Sequence, residues 1–594
     1  MRAVLWMAVL LGSGCPRAAP PVADAGTVAP TPDSRNPNAI LETLERENLD
    51  AELALSPSLA TVYGLHREED RLDDLRSDAQ AREVARLRAL SSRLRAMDLT
   101  ALDERHRLAR RLLLWRIDGE LFDQVEMRPL ERDPMVYVQA IIAGVDPFVS
   151  SEVLTAERLR PLTARLQKVT PLVAEAKRNL RSAAPELSIK RAIDLGQTVQ
   201  SFVVEVLPRL VATADAKQLD DFRNASGDAA RALDDFVGWL KRDLLPRAHG
   251  EAALGHDRFA EKLRLLIGAK LSPARLLLCS ERALERARAR YEEATRALLA
   301  PRPGAGLDAA KIVEEDQERP EELQATVQST LSALVDFSSE HHLIDPARPM
   351  RPRVSAMPPG RWGLLQTSGV GVLETRPREP IVWVDNLEIP SDDSLTEKRR
   401  KQLQSESLRV LNRSMVQLTL LHDVLGHLVV DDASRRAVGL DEKIFASPIF
   451  SEGFSHDVEG VVLEAGYAVG DRKLAWVAAR AELLRAVRLV AAVRLHAFSG
   501  KIEDVANLMA DQAGLDDQQA RSEVERALRD PLVMAEALGK LIIETLRRDY
   551  LALHPAVTPG DFYRALLLHG AIPLGEVRGL LLPQDGGELV AEDL

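Results

Sequence analysis

The sequence predicts a mainly α-helical protein, a large helical bundle with one small β element. Alanine, leucine and arginine are abundant while aromatic residues make up only 4% of the chain, and these three residue types are strong helix formers. Apolar residues recur at spacings of three and four, as in the run Leu41, Leu44, Leu49 and Leu53, which is the pattern of an amphipathic helix. A length of 594 residues allows several packed layers or two to three domains.

The N-terminus has the pattern of an export signal. A positive start precedes an apolar run, Ala3 to Leu11, that is too short to span a bilayer, and small residues then lead to Cys15. Residues 1–15 therefore resemble a bacterial lipoprotein signal with Cys15 as the lipidated residue, although Gly12 replaces the usual leucine and ordinary secretion stays an alternative. Residues 16–37 are rich in proline and alanine and indicate a tether. We expect a cell-envelope protein, either anchored to the membrane or periplasmic or secreted.

Three regions follow the tether. Residues 38–344 and 393–594 have helical periodicity, and residues 345–392 are rich in proline and glycine. Within that middle segment, Pro380 to Asp385 combines β-branched and aromatic residues and predicts a strand. Gly371 to Thr375 is a candidate partner strand. An edge strand here can hold an extended peptide by strand addition.

The C-terminal region predicts six successive helices. Their expected ranges are Leu403–Val430, Phe450–Gly470, Leu474–Phe498, Ile502–Ala513, Ala520–Leu528 and Leu532–Tyr550.

Charge and cysteine content exclude some functions. A net charge of −12 without a basic block gives no electrostatic support for binding nucleic acid. The two cysteines are Cys15 and Cys279, so a lipid on Cys15 leaves no intrachain disulfide. Cys279 lies in an apolar helical run and is expected to be a buried small residue.

Two segments carry candidate chemistry, and the first holds His422 and His427. Zinc sites use neutral imidazoles and carboxylates as ligands, with one position open for water in catalytic sites. Histidines five residues apart diverge by about 140° on a regular helix. A π-type bulge, or a break at Gly426, would bring them together, and glycine makes such a distortion sterically cheap.

The second segment holds Glu452, His456 and Glu459, which fall at i, i+4 and i+7 on one helical stripe. A buried glutamate is costly unless it is paired or bound to metal. The alternative interpretation is that these residues line a solvent cleft or cap a helix start.

These segments, with four others in the same order, resemble the bacterial family called domain of unknown function 885, regarded as zinc metallopeptidases of the gluzincin kind. The resemblance extends from about Leu41 to Leu581. The matching motifs are Ser56–Thr61, Leu418–His427 (similar to H-E-x-x-P-G-H), Glu452–Glu459 (E-G-W-A-L-Y-A-E), Arg485–His496 (R-x-x-R-L-V-V-D-x-G-L-H), Asp530–Gly539 (P-G-Q-A-L-S-Y-x-x-G) and Gly570–Leu574 (G-x-L-P-L).

The resemblance implies a gluzincin-like fold with a small β element beside the metal, a peptide as substrate or ligand, and one zinc ion. The residue roles that it implies are metal ligands His422, His427 and Glu459, with His456 as a further candidate ligand, and catalytic groups Asp423 (general base), Arg488 and His496.

The chain departs from the family pattern at several positions. The first motif is one residue short and lacks its proline, so an ungapped alignment puts Leu421 at the first ligand and His422 at the base. Asp423 replaces glutamate, Ala492 replaces aspartate and Glu536 replaces tyrosine, whose hydroxyl is a natural donor to an oxyanion. Two hypotheses follow: a zinc-dependent peptide hydrolase of the cell envelope with an eroded motif, or a catalytically inactive metallopeptidase-like lipoprotein with a binding or structural role.

Overall fold

A computed structural model of the chain describes residues 36–149, 154–211, 213–300, 308–344, 349–358, 364–385 and 407–585. The predicted signal segment with Cys15, and nearly all of the predicted tether, lie outside the described residues.

The described chain is mainly α-helical, with one small sheet, as predicted. The N-terminal helices are α1 Pro37–Leu55, α2 Pro57–Tyr63, α3 Ser77–Arg95, α4 Glu104–Phe122, α5 Pro129–Arg132, α6 Met135–Val149, α7 Ala156–Leu166, α8 Val169–Asn179, α9 Glu186–Ser201, α10 Ala216–Trp239, α11 His256–Ile267, α12 Pro273–Leu299, α13 Ala309–Glu314 and α14 Leu323–Glu340. The C-terminal helices are α15 Arg413–Leu420, α16 Val429–Arg436, α17 Leu440–Ile444, α18 Pro448–Glu464, α19 Arg472–Ala497, α20 Ile502–Ala513, α21 Asp517–Arg529, α22 Ala535–Leu553, α23 Pro559–Leu566 and α24 Leu574–Leu581.

Several helices are joined by segments with a different winding. The π-helical segments are Asp123–Met127, Phe202–Val206, Leu240–Leu244 and Leu421–Leu428. Short 3-10 turns are found at Leu99–Ala101, Leu207–Leu210, Leu245–Arg247, Pro320–Glu322, Pro531–Met534 and Pro583–Asp585. None of the described helices is both long and apolar enough to cross a membrane.

The long helices that frame the site have clear starting signals. The Ser447 hydroxyl accepts a hydrogen bond from the Phe450 amide, and Pro448 occupies the first turn of α18, where its missing N–H costs nothing. The Asp471 carboxylate accepts from two amides at the start of α19. Both helices are therefore fixed at their N-termini by local sequence.

The sheet has three short strands in the order β1–β3–β2: β1 Arg353–Ala356, β2 Leu365–Ser368 and β3 Ile381–Val384. Strand β3 pairs in parallel with β1 and antiparallel with β2. The predicted strand at 380–385 is confirmed, but its predicted partner at 371–375 is wrong. That segment instead packs on the end of α2, where the Leu373 amide donates to the Tyr63 carbonyl over 2.8 Å.

The main hydrophobic core includes residues from both predicted helical regions. Leu108, Phe259 and Leu284 share this core with Phe450 and Val487, so α18 and α19 run through the centre of the largest packed unit. A second core, formed between Met135 and Leu244, packs separately. Cys279 is buried, as predicted.

Candidate metal centre

The two histidines of the first segment meet because the backbone between them is π-helical. The segment Leu421–Leu428 has the wider winding that places residues five apart on one face, which confirms the predicted distortion. The Nε2 atoms of His422 and His427 are 3.2 Å apart. Gly426 also permits a close approach of α18, since a Cβ at this position would lie only 2.5 Å from Ser455 Cβ.

Helix α18 adds Glu452 to the histidine pair. Its Oε2 atom lies 3.6 Å from His422 Nε2 and 3.6 Å from His427 Nε2. Zinc–ligand bonds of about 2.0–2.2 Å in a tetrahedron separate neighbouring ligand atoms by roughly 3.3–3.6 Å. The three atoms therefore have the spacing of one face of a tetrahedral zinc site, so this donor set fits the ion that the resemblance implies.

Glu459 lies on the opposite side of the His422 ring. Its Oε1 accepts a hydrogen bond from His422 Nδ1 over 2.6 Å, and Arg485 donates to its two oxygens over 2.6 and 2.8 Å. With Nδ1 donating to a carboxylate, Nε2 is the ring nitrogen directed at Glu452 and His427, and it can offer a lone pair to a metal once its proton has left. The structure thus brings Glu452, rather than the predicted Glu459, to the point where the histidines converge, and Glu459 orients His422.

Two further carboxylates lie within reach of the histidines. Two groups of donor atoms converge, with all distances inside a group within 4.8 Å. The first group takes one atom each from His422, Asp423 and His427, and the second takes one each from His422, Glu452 and Glu536. Glu536 accepts a hydrogen bond from Arg485 Nε. Burial opposes its ionisation, but the Arg485 charge lowers the pKa of Glu536 to about 2. Burial raises the pKa of Asp423.

The charges of the centre favour a cation. Four carboxylates, those of Asp423, Glu452, Glu459 and Glu536, lie around the histidine pair, and Arg485 is the guanidinium bonded to two of them. A set of oxygen and imidazole donors with excess negative charge attracts a divalent ion.

The two histidines differ in proton affinity when metal is absent. Burial lowers the pKa of His422, but hydrogen bonds to Glu452 and Glu459 outweigh it and hold that pKa well above its usual value. Burial lowers the pKa of His427. A proton on His422 therefore faces a neutral His427 ring, and a metal ion would have to displace this proton.

His456 bonds to backbone rather than to the histidine pair. Its Nδ1 lies 3.3 Å from the Glu536 carbonyl oxygen at the start of α22, and burial lowers its pKa well below the usual value. It is absent from the groups of described residues whose donor atoms converge, so the structure does not bring this candidate ligand to the pair.

His496 and Arg488 also have other partners. His496 Nδ1 accepts from the Leu254 amide over 3.2 Å, and Nε2 donates to the Ala527 carbonyl over 2.8 Å, so both ring nitrogens are used in packing α19. Arg488 forms two hydrogen bonds of 2.7 Å with Glu523. Of the three predicted catalytic groups, Asp423 alone is in contact range of the histidine pair.

Glu452 is on the predicted helical stripe but is not among the ligands that the resemblance implies, and Arg485 has no predicted role. Glu452 shares a helical stripe with Glu459, and the sequence does not show which of the two lies level with the histidines. Arg485 opens a motif that matches the family, but its partners come from α18 and α22, which are remote in sequence.

The fold and this cluster define a class: a mainly α-helical protein with a histidine–carboxylate cluster in its interior. The chain belongs to the family described as bacterial protein of unknown function (DUF885), whose model matches residues 57–581.

Two solved structures share the fold. A "putative lipoprotein of unknown function" from Shewanella oneidensis superposes with a TM-score of 0.71 at 17% identity, covering 91% of this chain and 99% of that chain. A "putative lipoprotein" from Colwellia psychrerythraea gives a TM-score of 0.74 at 16% identity, covering 93% of this chain and 100% of that chain. A search of curated proteins finds no match.

Proposed function

We propose that this protein is a zinc-dependent peptide hydrolase of the cell envelope. The observation that carries the proposal is the triangle of 3.2, 3.6 and 3.6 Å formed by His422 Nε2, His427 Nε2 and Glu452 Oε2. These residues would hold the metal, with Glu459 and Arg485 orienting His422. A bound zinc ion activates water as a nucleophile and polarises a carbonyl group.

Asp423 is the proposed general base. Its carboxylate lies in the same cluster as both histidines and is held there by the π-helical backbone. It would take a proton from the attacking water at a carboxylate oxygen and deliver it to the leaving amine. Burial raises its pKa, which moves this base toward the operating pH and improves proton transfer.

Strand β2 offers a place for the peptide. It pairs with β3 on one side only within the described sheet, and it packs against the π-helix that carries the histidines. An extended substrate can add to such an edge through main-chain hydrogen bonds. The centre, the base and the edge strand together support hydrolysis of a peptide bond.

The envelope location rests on two observations. Residues 1–15 have the pattern of a lipoprotein signal ending in Cys15, and two proteins of the same fold are described as putative lipoproteins. A lipid on Cys15 would anchor the protein to the membrane.

A second candidate function is a catalytically inactive metal-binding lipoprotein. One observation favours it: the Glu536 carboxylate lies within 4.8 Å of donor atoms of His422 and Glu452. If Glu536 supplied a fourth ligand, no position would stay open, and closed sites are structural.

Metal content and hydrolysis, measured together, test the two candidates. Protein purified without chelators should hold one zinc per chain by mass spectrometry of the metal, as should a His256→Ala control at an exposed histidine. His427→Ala should lose the metal. Asp423→Asn should keep the metal and lose about 10²- to 10⁴-fold in peptide hydrolysis.

Three results would decide against the hydrolase. Wild-type protein without zinc contradicts the metal centre, and undiminished hydrolysis by Asp423→Asn contradicts the base. Stoichiometric zinc with no hydrolysis of any peptide in a mixed library supports the inactive candidate.

A further inference from the structure

Asp431 lies one helical turn beyond His427. Residues four apart on a helix have Cβ atoms about 5–6 Å from one another on the same face, and helix α16 carries Asp431 directly after the π-helical segment. Asp431 is therefore a neighbour of the candidate metal centre, although it belongs to neither group of converging donor atoms.

The Asp431 carboxylate also lies at the end of strand β2. A Cβ on Gly369, the residue after the strand, would be 2.4 Å from Asp431 Oδ2. Glycine is needed here because any side chain would displace this carboxylate. Asp431 thus stands where β2, the edge proposed to hold a peptide, ends beside the histidine helix.

The charge of Asp431 has no counterpart in the described part of the chain. No ion pair or hydrogen bond joins its side chain to another described residue, whereas the adjacent Asp432 pairs with Arg436 over 2.8 Å. Burial raises the pKa of Asp431 to about 7. Asp431 is half-buried, and a partly desolvated carboxylate without a donor is costly. A cationic ligand would remove that cost.

We infer that Asp431 binds the terminal ammonium group of a peptide lying antiparallel to β2. This inference rests on the proposed function, for which it names the substrate class: peptides with a free N-terminus, cleaved near that end.

The negative charge of Asp431 selects the direction of the peptide. An antiparallel peptide brings its N-terminal end to the C-terminal end of β2, where Gly369 and Asp431 lie. A parallel peptide would bring its carboxylate there instead, and like charges in a half-buried site repel.

The helical spacing sets the position of cleavage. On a regular helix the Cβ atoms of residues four apart, as His427 and Asp431 are in sequence, are about 5–6 Å from one another, which is roughly the length of two residues of extended chain. The scissile bond would therefore lie within the first one or two residues, and the products would be an amino acid or dipeptide and a shortened peptide.

Three hexapeptides test this inference: alanine hexapeptide, its N-acetylated form, and an N-acetylated form with lysine first. Zinc-loaded full-length protein should hydrolyse the free peptide about 10- to 100-fold faster in kcat/KM than the acetylated one, the range expected for hydrogen bonds to a charged group. Asp431→Asn should remove this preference. Asp432→Asn, the matched control, should retain it.

A binding measurement separates the inference from the proposed function. Calorimetry on the Asp423→Asn protein should give the same preference for the free N-terminus, because Asp431 is intact. Preferential binding without hydrolysis by wild type would overturn the hydrolase and leave the inference standing. Hydrolysis of free and acetylated peptides at equal rates would overturn the inference and leave the hydrolase standing.

Two further outcomes would overturn the inference. Equal affinity for the lysine-containing acetylated peptide and the free peptide would place a lysine side chain, not the N-terminus, on Asp431. If none of the three peptides binds, the inference is overturned. Comparing free and acetylated peptides on wild-type protein needs no variant, so misfolding of Asp431→Asn cannot obscure the result.

Discussion

Replacing Gly453 by alanine should weaken both the fold and the metal centre, because α18 and α22 touch backbone to backbone at this position. A Cβ on Gly453 would lie 2.3 Å from Gly539 Cα and 2.4 Å from Gly539 C. Ordinary contact requires about 3.4 Å or more, so the helices would have to part by about 1 Å. Backbone atoms cannot rotate out of the way as a side chain can.

The expected magnitude follows from two opposing effects. Overpacking costs about 1–3 kcal/mol, and the upper end applies where only a rigid shift relieves it. Alanine favours a helix interior over glycine by about 1 kcal/mol. The net loss for Gly453→Ala is therefore about 2 kcal/mol, and the displacement of Glu452 should lower zinc affinity as well.

Gly460 provides the matched control. It lies on the same helix, and the nearest atom to a Cβ there is Lys540 Nζ at 3.7 Å. Gly460→Ala should gain the helix propensity, about 1 kcal/mol, without the clash. Urea unfolding followed by circular dichroism should thus separate the two variants by about 3 kcal/mol. Equal stability of the two variants would refute the close helix contact.

Three further predictions concern protons and the metal. Burial, and after it the charge of Asp441, raises the pKa of Glu45 from 4.5 to about 8 in the folded protein. The protonated Glu45 therefore contributes its full share to the free energy of unfolding below about pH 4.5, and this contribution is lost as the pH rises through 8. Glu45→Gln should reduce this loss of stability by a few kcal/mol in urea titrations at several pH values, and an unchanged slope would contradict the assignment. Zinc binding should displace the proton on His422. The zinc affinity should therefore rise about tenfold per pH unit below the pKa of His422, and calorimetry should detect the release of about one proton per zinc bound. Zinc binding without proton release would count against His422 as a ligand. Arg485→Gln should lower the zinc affinity about 10- to 100-fold. The control Arg488→Gln removes an arginine that pairs with Glu523 and should change the zinc affinity little. Equal losses of zinc affinity in the two variants would show that Arg485 has no special role.

Local sequence was sufficient to predict most of the C-terminal helices and one strand. The predicted helix Leu403–Val430 is wrong as one continuous helix, because the extended backbone of Asn412 interrupts it and caps the start of α15. Helices such as Ile502–Ala513 coincide with their predicted range, because apolar spacing and capping residues act within a few turns. The partner of β3 was predicted at the wrong segment, since pairing depends on contacts distant in sequence. Gly371, for example, packs against the Tyr63 and Gly64 backbone, and nothing near Gly371 indicates this contact.

The site was predictable where its geometry is local. A spacing of five residues with Gly426 between the histidines predicted the π-helical winding, which depends only on the backbone of that segment. The choice between Glu452 and Glu459 depends on how far α18 is rotated and shifted against the π-helix. That arrangement is set by contacts such as Gly453 with Gly539, and the spacing of residues within α18 does not contain it.

The pairing of Arg485 bears on whether the centre can be catalytic. Arg485 donates to both Glu459 and Glu536, whereas among the described side chains only the two histidines form ion pairs with Glu452. Arg485 holds Glu536 through Oε2, so a metal would have to use the other oxygen, Oε1, of a carboxylate that this ion pair already fixes in place. Glu452 has no such restraint and can adjust to the ion. The ion pairs therefore make Glu452 the better ligand, and a site with three protein ligands and one open position is the arrangement that hydrolysis requires.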